Sequence, residues 1–194
     1  MSVHVDLDLA VPDDAIARWS DEALLTRMWD KDPTVWFDPP RPETANRLGW
    51  LDLPTTSETL VPQIRALAAA AIDEGITDLV LCGMGGSSLA PEVFSETLPT
   101  EPGHPRLTVI DTTHPDAVAA VHAATDPATT WYLVSSKSGG TLETMSLFRS
   151  FWAAASDALD DPGRHFLAVT DPGSGLAALA EERAELSSPR RIRV

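Results

Sequence analysis

Two stretches of this 194-residue chain combine glycines with hydroxyl side chains where a strand should give way to a helix. The first is Gly83-Met-Gly-Gly-Ser-Ser88, and the second is Ser135-Ser-Lys-Ser-Gly-Gly-Thr141. Glycines allow positive φ and close approach of a ligand, serines can cap the helix start, and the free N–H groups there attract an anion. A phosphate monoester needs hydroxyl donors, backbone N–H groups and a positive charge. The two stretches therefore predict a phosphate-binding site.

The first loop alone is a weak signal, because a strand, a glycine turn and a serine-capped helix also occur in α/β proteins without a ligand. Gly83-x-Gly85-x-x-Ser88 lacks the third glycine of a dinucleotide fingerprint, and no Gly-Lys-Ser/Thr follows as in a P-loop. A nucleotide-binding, flavodoxin-like domain is therefore disfavoured. The alternative for the second stretch is a solvated Ser/Thr-rich loop. Its position at a strand end favours a ligand site.

Alternating strands and helices should hold both loops. Short apolar runs predict strands buried on both faces, and repeated β-α units predict an α/β fold with a doubly wound parallel sheet. The predicted strands are Leu79–Cys82, Leu107–Ile110, Trp131–Val134 and Phe166–Val169, and the predicted helices are Ser57–Glu74, Ser88–Leu98, Asp116–Ala124, Leu142–Leu159 and Leu176–Glu185.

The N-terminal part predicts an arm rather than a domain. Residues 1–11 alternate apolar and acidic side chains, as in an edge strand or an untethered tail. Pro12 and the two acids after it suit the start of a helix that runs to Met28. Residues 30–54 contain five prolines and three large aromatic side chains. We expect this segment to pack its aromatics without regular structure.

Composition limits the class of partner. The formal net charge of −15, from 14 basic and 29 acidic side chains, disfavours nucleic acid and anionic membranes. A solitary Cys82 is compatible with a reducing cytoplasm. The acidic N-terminus does not resemble a signal peptide, and no apolar run approaches the ~20 residues of a membrane helix. We expect a cytoplasmic globular protein that binds a small molecule, with no metal and no cofactor.

Lone side chains have weaker claims to chemistry. His114 could be catalytic, but a capping or packing role is favoured, because no partner lies at metal-ligand spacing. Cys82 lies inside a predicted strand and should be a small buried hydrophobe. Arg190, Arg191 and Arg193 could pose as an anion site, and we assign them no chemistry.

Four blocks of the sequence, in order, resemble the glucose-6-phosphate isomerase family, in particular the bacterial form that also occurs as the C-terminal half of fused transaldolase/isomerase proteins. Two further segments resemble that form's arm, and the resemblance covers about residues 24–185. The blocks are Val80-Leu-Cys-Gly-Met-Gly-Gly-Ser-Ser-Leu-Ala-Pro-Glu92, Val109-Ile-Asp-Thr-Thr-His-Pro-Asp116, Leu133-Val-Ser-Ser-Lys-Ser-Gly-Gly-Thr-Leu-Glu-Thr144 and Ala168-Val-Thr-Asp-Pro-Gly-Ser174, and the arm segments are Trp29-Asp-Lys-Asp-Pro33 and Arg47-Leu-Gly-Trp-Leu-Asp-Leu-Pro54.

The resemblance implies a sugar-isomerase (SIS) fold, a three-layer αβα sandwich with a parallel sheet, over residues 55–186. An arm of residues 1–54 precedes it, and residues 187–194 should be a tail left by truncation or a frameshift. The residues implied to hold the substrate phosphate are Gly85, Gly86, Ser87, Ser136, Lys137, Ser138 and Thr141.

Gly140 lies within the second loop, and Glu143 follows that loop at the start of the next predicted helix. Gly140 departs from the family, which usually has threonine there, so one hydroxyl of the phosphate cradle is missing. Glu143 matches a family glutamate near the catalytic histidine, as an accessory group. The equally supported alternative is that Glu143 is simply a carboxylate at a helix start, where the helix dipole stabilises it.

The resemblance also implies the reaction, which is aldose–ketose isomerisation of glucose 6-phosphate and fructose 6-phosphate in glycolysis and gluconeogenesis. A carboxylate moves a proton between C1 and C2, and an arginine stabilises the developing charge. The family blocks that carry these groups would lie beyond residue 194, so we expect no catalytic residue in this chain and weak binding with little turnover. The resemblance is also compatible with a homodimer of the full-length family member. The alternative function is a non-catalytic SIS module that binds or senses a phosphosugar.

Overall fold

The computed structural model describes residues 13–42, 44 and 47–184. The strand or tail predicted for residues 1–11 and the tail predicted for residues 187–194 lie outside these ranges. The chain divides into two compact units between Val61 and Pro62. The domain limits derived from the sequence stay predictions.

The first unit contains short helical segments. The prediction of one helix running to Met28 is wrong, because Ala23 has a left-handed conformation (φ 48°) that interrupts it. The prediction that residues 30–54 lack regular structure is also wrong, since 3-10 turns and the start of the helix Leu53–Thr56 fall there. The helices are α1 (Asp13–Asp21), α2 (Leu24–Trp29) and α3 (Leu53–Thr56), with 3-10 turns at Pro33–Val35, Gly49–Asp52 and Ser57–Leu60.

Two local effects shape residues 30–54. Asp32 starts the first 3-10 turn, because its carboxylate accepts a hydrogen bond from the Thr34 N–H at 2.8 Å. The aromatic side chains are not packed away as expected: Trp36, Phe37 and Trp50 are 44%, 39% and 59% exposed. Instead, the Arg41 guanidinium lies 3.9 Å from the centre of the Phe37 ring.

A four-stranded parallel sheet forms the centre of the second unit in the described part of the chain. Its order is β2-β1-β3-β4. All four predicted strands are confirmed, each to within one residue at either end. The strands are β1 (Asp78–Gly83), β2 (Arg106–Ile110), β3 (Thr130–Ser135) and β4 (Phe166–Val169).

The helices from Val61 onwards follow the prediction with one exception. The expected helix Ser57–Glu74 begins as a 3-10 turn, and its α-helical part ends before Gly75, whose φ of +70° suits a helix C-terminus. The remaining predicted helices are confirmed with small shifts at their ends, apart from Glu185, which lies outside the described residues. The helices are α4 (Val61–Asp73), α5 (Leu89–Thr97), α6 (Pro115–Ala124), α7 (Leu142–Ala158) and α8 (Gly175–Ala184).

Helices cover both faces of the sheet. On one face, Val80 and Tyr132 pack in a cluster with Leu147 and Phe151 of α7. On the other face, Trp131 packs with residues of α4. The strands are apolar on both faces because both faces are buried, and this gives the three-layer αβα sandwich that was predicted.

The strand order positions the two loops. The chain passes from β1 through α5 to β2 at one side, and from β3 through α7 to β4 at the other side. The direction of winding therefore reverses between β1 and β3, at the topological switch point where open α/β sheets bind ligands. The loops that follow β1 and β3 are the two stretches singled out in the sequence.

Candidate functional site

The structure brings the two predicted loops together at the switch point. Gly83 and Ser135, the last residues of β1 and β3, are partners in the parallel register. Residues 84–88 and 136–141 therefore leave adjacent strands at the same level, and neighbouring strands lie about 4.8 Å apart. The predicted residues of both loops thus lie at the carboxyl ends of the central strands β1 and β3.

The first loop is a tight turn that depends on its glycines. Gly85 has φ of +54°. A Cβ atom added to Gly83 would lie 3.0 Å from the carbonyl oxygen of Ser87, so the turn folds back closely on the end of β1. Gly85 and Gly86 are exposed, and Ser87 is half-buried.

The predicted serine cap of α5 is wrong. Ser88 is fully buried, and its hydroxyl donates to the carbonyl of Gly85 at 3.0 Å instead of accepting from a helix N–H. This hydrogen bond closes the turn. Short hydroxyl side chains often form such hydrogen bonds to a nearby backbone carbonyl instead of capping a helix N–H group.

Ser136 organises the second loop from within. Its side chain is 2% exposed, its Oγ accepts a hydrogen bond from the Gly139 N–H at 3.2 Å, and its Oγ lies 3.1 Å from the Thr141 Oγ1. Lys137 and Ser138 are exposed at the tip of the loop. The loop therefore exposes the Lys137 ammonium and the Ser138 hydroxyl, and the buried Ser136 side chain fixes its backbone through these hydrogen bonds.

The start of α7 adds to the electrostatics of the second loop. Thr141 is the N-cap residue of this 17-residue helix and makes no capping hydrogen bond with its side chain. The positive end of the helix dipole lies here and favours an anion. Glu143 is half-buried in the first turn, where a carboxylate is also favoured by the dipole, and its accessory role stays a prediction.

Sequence reasoning missed a third loop that borders the second. The turn between β4 and α8, residues 170–174, donates two hydrogen bonds to the backbone carbonyl of Lys137. The signal in the sequence was the segment Thr170-Asp-Pro-Gly-Ser174 at a strand end.

The weaker candidates have structural roles. His114 precedes α6, and its Nδ1 accepts a hydrogen bond from the Asp116 N–H at 3.3 Å, which confirms the capping role. Cys82 is 0% exposed, and burial raises the pKa of its thiol to about 12. Its prediction as a buried hydrophobe is confirmed.

Metal-binding clusters and membrane-spanning helices are both absent from the described residues. Within residues 13–42, 44 and 47–184, no group of three or more histidine, cysteine, aspartate or glutamate side chains is arranged to hold a metal ion. None of the helices in the same ranges combines the length and apolar character needed to cross a bilayer.

Comparison with known proteins gives consistent results. The family model for phosphoglucose isomerase matches residues 59–177, which include both loops and all four strands. Glucose-6-phosphate isomerase of Rubrobacter xylanophilus is 33% identical over 163 residues, which cover 79% of this chain and 35% of that protein. A glucose-6-phosphate isomerase of Thermus thermophilus is 36% identical over 144 residues, or 73% of this chain and 33% of that protein.

A solved structure agrees over most of the chain. The crystal structure of a hypothetical protein from Thermus thermophilus matches with a TM-score of 0.73 at 29% identity, covering 93% of this chain and 40% of that chain. The chain spans about a third of the length of the curated relatives named above (35% and 33%).

Proposed function

The chain belongs to the phosphoglucose isomerase family, and from that premise we propose that its two adjacent loops hold the phosphate of glucose 6-phosphate or fructose 6-phosphate. The reaction served is the aldose–ketose isomerisation of these sugar phosphates in glycolysis and gluconeogenesis. The observation that carries the proposal is the placement of both loops at the switch point of the sheet, where Gly83 and Ser135 are register partners.

The groups in the two loops match the needs of a phosphate dianion. Lys137 supplies an exposed positive charge, and charge-assisted hydrogen bonds are roughly twice as strong as neutral ones. The hydroxyls and the glycine backbone supply further donors. The proposed phosphate ligands are Gly85, Gly86, Ser87, Ser136, Lys137, Ser138 and Thr141.

The proposal assigns binding, not proton transfer, to this chain. Isomerisation needs a base placed at the transferred proton and a cation at the developing negative charge. The resemblance assigns no residue of this chain to either task, with Glu143 only an accessory. We therefore propose that the purified chain binds sugar phosphate weakly and turns over little of it. We propose that its ligand is a small molecule in the cytoplasm. A homodimer is proposed only for the full-length family member.

The test is calorimetric titration of the 194-residue chain with glucose 6-phosphate and, separately, with glucose. We expect heat of binding only with the phosphorylated sugar. Lys137→Gln should raise the Kd roughly 10- to 100-fold, because a hydrogen bond to a charged group contributes about 1.5–3 kcal/mol. Arg149→Gln is the matched control, because Arg149 is an exposed cation within α7 and outside both loops.

Three outcomes would overturn the proposal: no binding of glucose 6-phosphate, equal binding of glucose, or an equal loss of affinity in both variants. The last outcome would mean that net charge, and not a site, governs the response. Substantial isomerase activity in a coupled assay of the same protein would contradict the proposed division between binding and catalysis.

A further inference from the structure

The turn between β4 and α8 holds the backbone of the second loop. The Ser136 N–H donates to the carbonyl of Val169 at 3.0 Å, and the Asp171 N–H donates to the carbonyl of Lys137 at 3.2 Å. The Thr170 hydroxyl donates to that same Lys137 carbonyl at 3.3 Å. The backbone of Lys137 is therefore tied down by this turn while its side chain stays exposed.

The direction of the hydrogen bonds follows from counting protons. The Lys137 carbonyl can only accept, so the single proton of the Thr170 hydroxyl points to it. In its 2.7 Å hydrogen bond with the Ser174 Oγ, the Thr170 Oγ1 must then accept. The Ser174 Oγ in turn accepts from the Ala177 N–H of α8 at 3.0 Å. One directed chain of hydrogen bonds thus runs from the first turn of α8 to the backbone of Lys137.

This chain of hydrogen bonds is shielded from water. Thr170 is 7% exposed and Ser174 is half-buried. A buried donor or acceptor that loses its partner is not freely compensated by water. The conformation of the Lys137 backbone therefore depends on both hydroxyls.

Gly139 adds a steric contact between the loop and the turn. It is buried with φ of +68°. A Cβ atom added there would lie 2.6 Å from the Ser174 Oγ and 2.7 Å from the Leu176 nitrogen. The loop and the turn therefore touch with no room for a side chain between them.

We propose that Thr170 and Ser174 are positioning residues for the sugar-phosphate site, an inference that rests on the proposed function. They act on the ligand only through the second loop, by fixing Lys137 and Gly139 in the conformation that binds phosphate. A loop that is ordered before the ligand arrives binds more tightly, because ordering it is not subtracted from the binding free energy.

The variants that test this differ by one group. Thr170→Val replaces the hydroxyl by a methyl group, and Thr170→Ser keeps the hydroxyl. The matched control is Thr130→Val at the start of β3, at the other end of the sheet. Thr130 is fully buried, and its hydroxyl donates to the carbonyl of Asp126 at 2.7 Å, so the control removes a comparable hydrogen bond away from the loop.

The first measurement is amide hydrogen exchange without ligand. The Gly139 N–H is hydrogen-bonded within the loop, so its exchange reports whether the loop is held. Thr170→Val should speed this exchange roughly tenfold beyond the change seen with Thr130→Val, and Thr170→Ser should restore it. Equal exchange rates at Gly139 in Thr170→Val and Thr130→Val would overturn the inference.

The second measurement is the affinity for glucose 6-phosphate. We expect about a tenfold weaker affinity in Thr170→Val and at most about a twofold change in Thr170→Ser and Thr130→Val. If the unaltered chain binds and Thr170→Val binds as well as it does, the positioning role is refuted while the proposed function stands. If the unaltered chain binds no glucose 6-phosphate, the proposed function is refuted and the positioning role with it.

Discussion

Gly139 and Gly140 are adjacent glycines in the second loop that face opposite steric conditions. Gly139 has φ of +68°, and an added Cβ atom would collide with the β4–α8 turn. At Gly140 an added Cβ atom meets no heavy atom within 4 Å. The two positions therefore separate the effect of backbone strain and contact from the effect of a side chain as such.

We predict that Gly139→Ala lowers the free energy of unfolding by about 2 kcal/mol, since alanine is strained at positive φ and the turn must move. Gly140→Ala should change it by no more than about 0.5 kcal/mol. Urea unfolding followed by circular dichroism measures both. Equal losses in the two variants would show that the close contact of Gly139 with Ser174 does not determine the loop.

Thr144 is a polar residue that is buried in the second unit. It is fully buried in the first turn of α7, and its hydroxyl has no hydrogen-bond partner among the described residues. Thr144→Val should therefore raise the free energy of unfolding by about 1 kcal/mol, because a desolvated hydroxyl is removed at nearly constant shape. Thr130→Val, which removes a hydrogen-bonded buried hydroxyl, should lower it by about the same amount. Destabilisation by both would mean that the Thr144 hydroxyl has a partner in solution.

At the scale of residues, the sequence predicted which residue types gather at the candidate site but not which hydrogen bonds each side chain makes. Glycines and hydroxyls after a strand indicate an anion site whatever the details of the turn. The roles of Ser88 and Thr170 were not predictable in the same way. The Ser88 hydroxyl can bond either to a helix N–H or to a local carbonyl, and the residue type does not decide between them. The hydrogen bond of Thr170 to Lys137 joins residues 33 positions apart in the chain, so it leaves no local pattern.

At the scale of elements, the strands were predicted best because burial on both faces produces apolar runs that turns and surface helices lack. The break between α1 and α2 was missed. It depends on the φ of one alanine, Ala23, which is not a residue that marks helix ends. The 3-10 turn Pro33–Val35 was missed for a related reason, since a single side-chain cap from Asp32 sets it.

The neighbouring strands β1 and β3 bury the single cysteine and the single tyrosine of the chain in one cluster. Burial raises the pKa of Cys82 from 9.0 to about 12 and is the main cause that raises the pKa of Tyr132 from 10.0 to about 12. Both groups stay neutral in the folded state while the unfolded chain ionises. The stability they contribute is therefore complete below about pH 9 and is lost as pH rises towards 12.

This predicts that the free energy of unfolding falls steadily above pH 9. It also predicts that tyrosinate, which only Tyr132 can form, develops together with loss of structure. Ultraviolet absorbance of tyrosinate and circular dichroism, recorded on the same alkaline titration, check this. Tyrosinate that forms near pH 10 in a fully folded chain would contradict the burial of Tyr132.

At the scale of the whole molecule, the net charge of −15 opposes the binding of an anionic ligand, so phosphate binding by this chain would be strong evidence for a specific site. A strongly acidic chain repels an anionic ligand at long range, and salt screens that repulsion beyond about 8–10 Å. Affinity for a sugar phosphate must then come from groups in direct contact with it. We propose that the exposed ammonium of Lys137 and the N-terminus of α7 supply these contacts from the second loop.

The most direct test is a titration of the ¹⁵N-labelled chain with glucose 6-phosphate, read from the shifts of its backbone amides. Glucose and inorganic phosphate serve as parallel ligands, so that the contribution of the phosphate group is separated from that of the sugar. The account predicts shifts concentrated in residues 85–87 and 136–141 with both phosphate-containing ligands and none with glucose. Shifts absent from these two loops, or the same shifts with glucose, would contradict it.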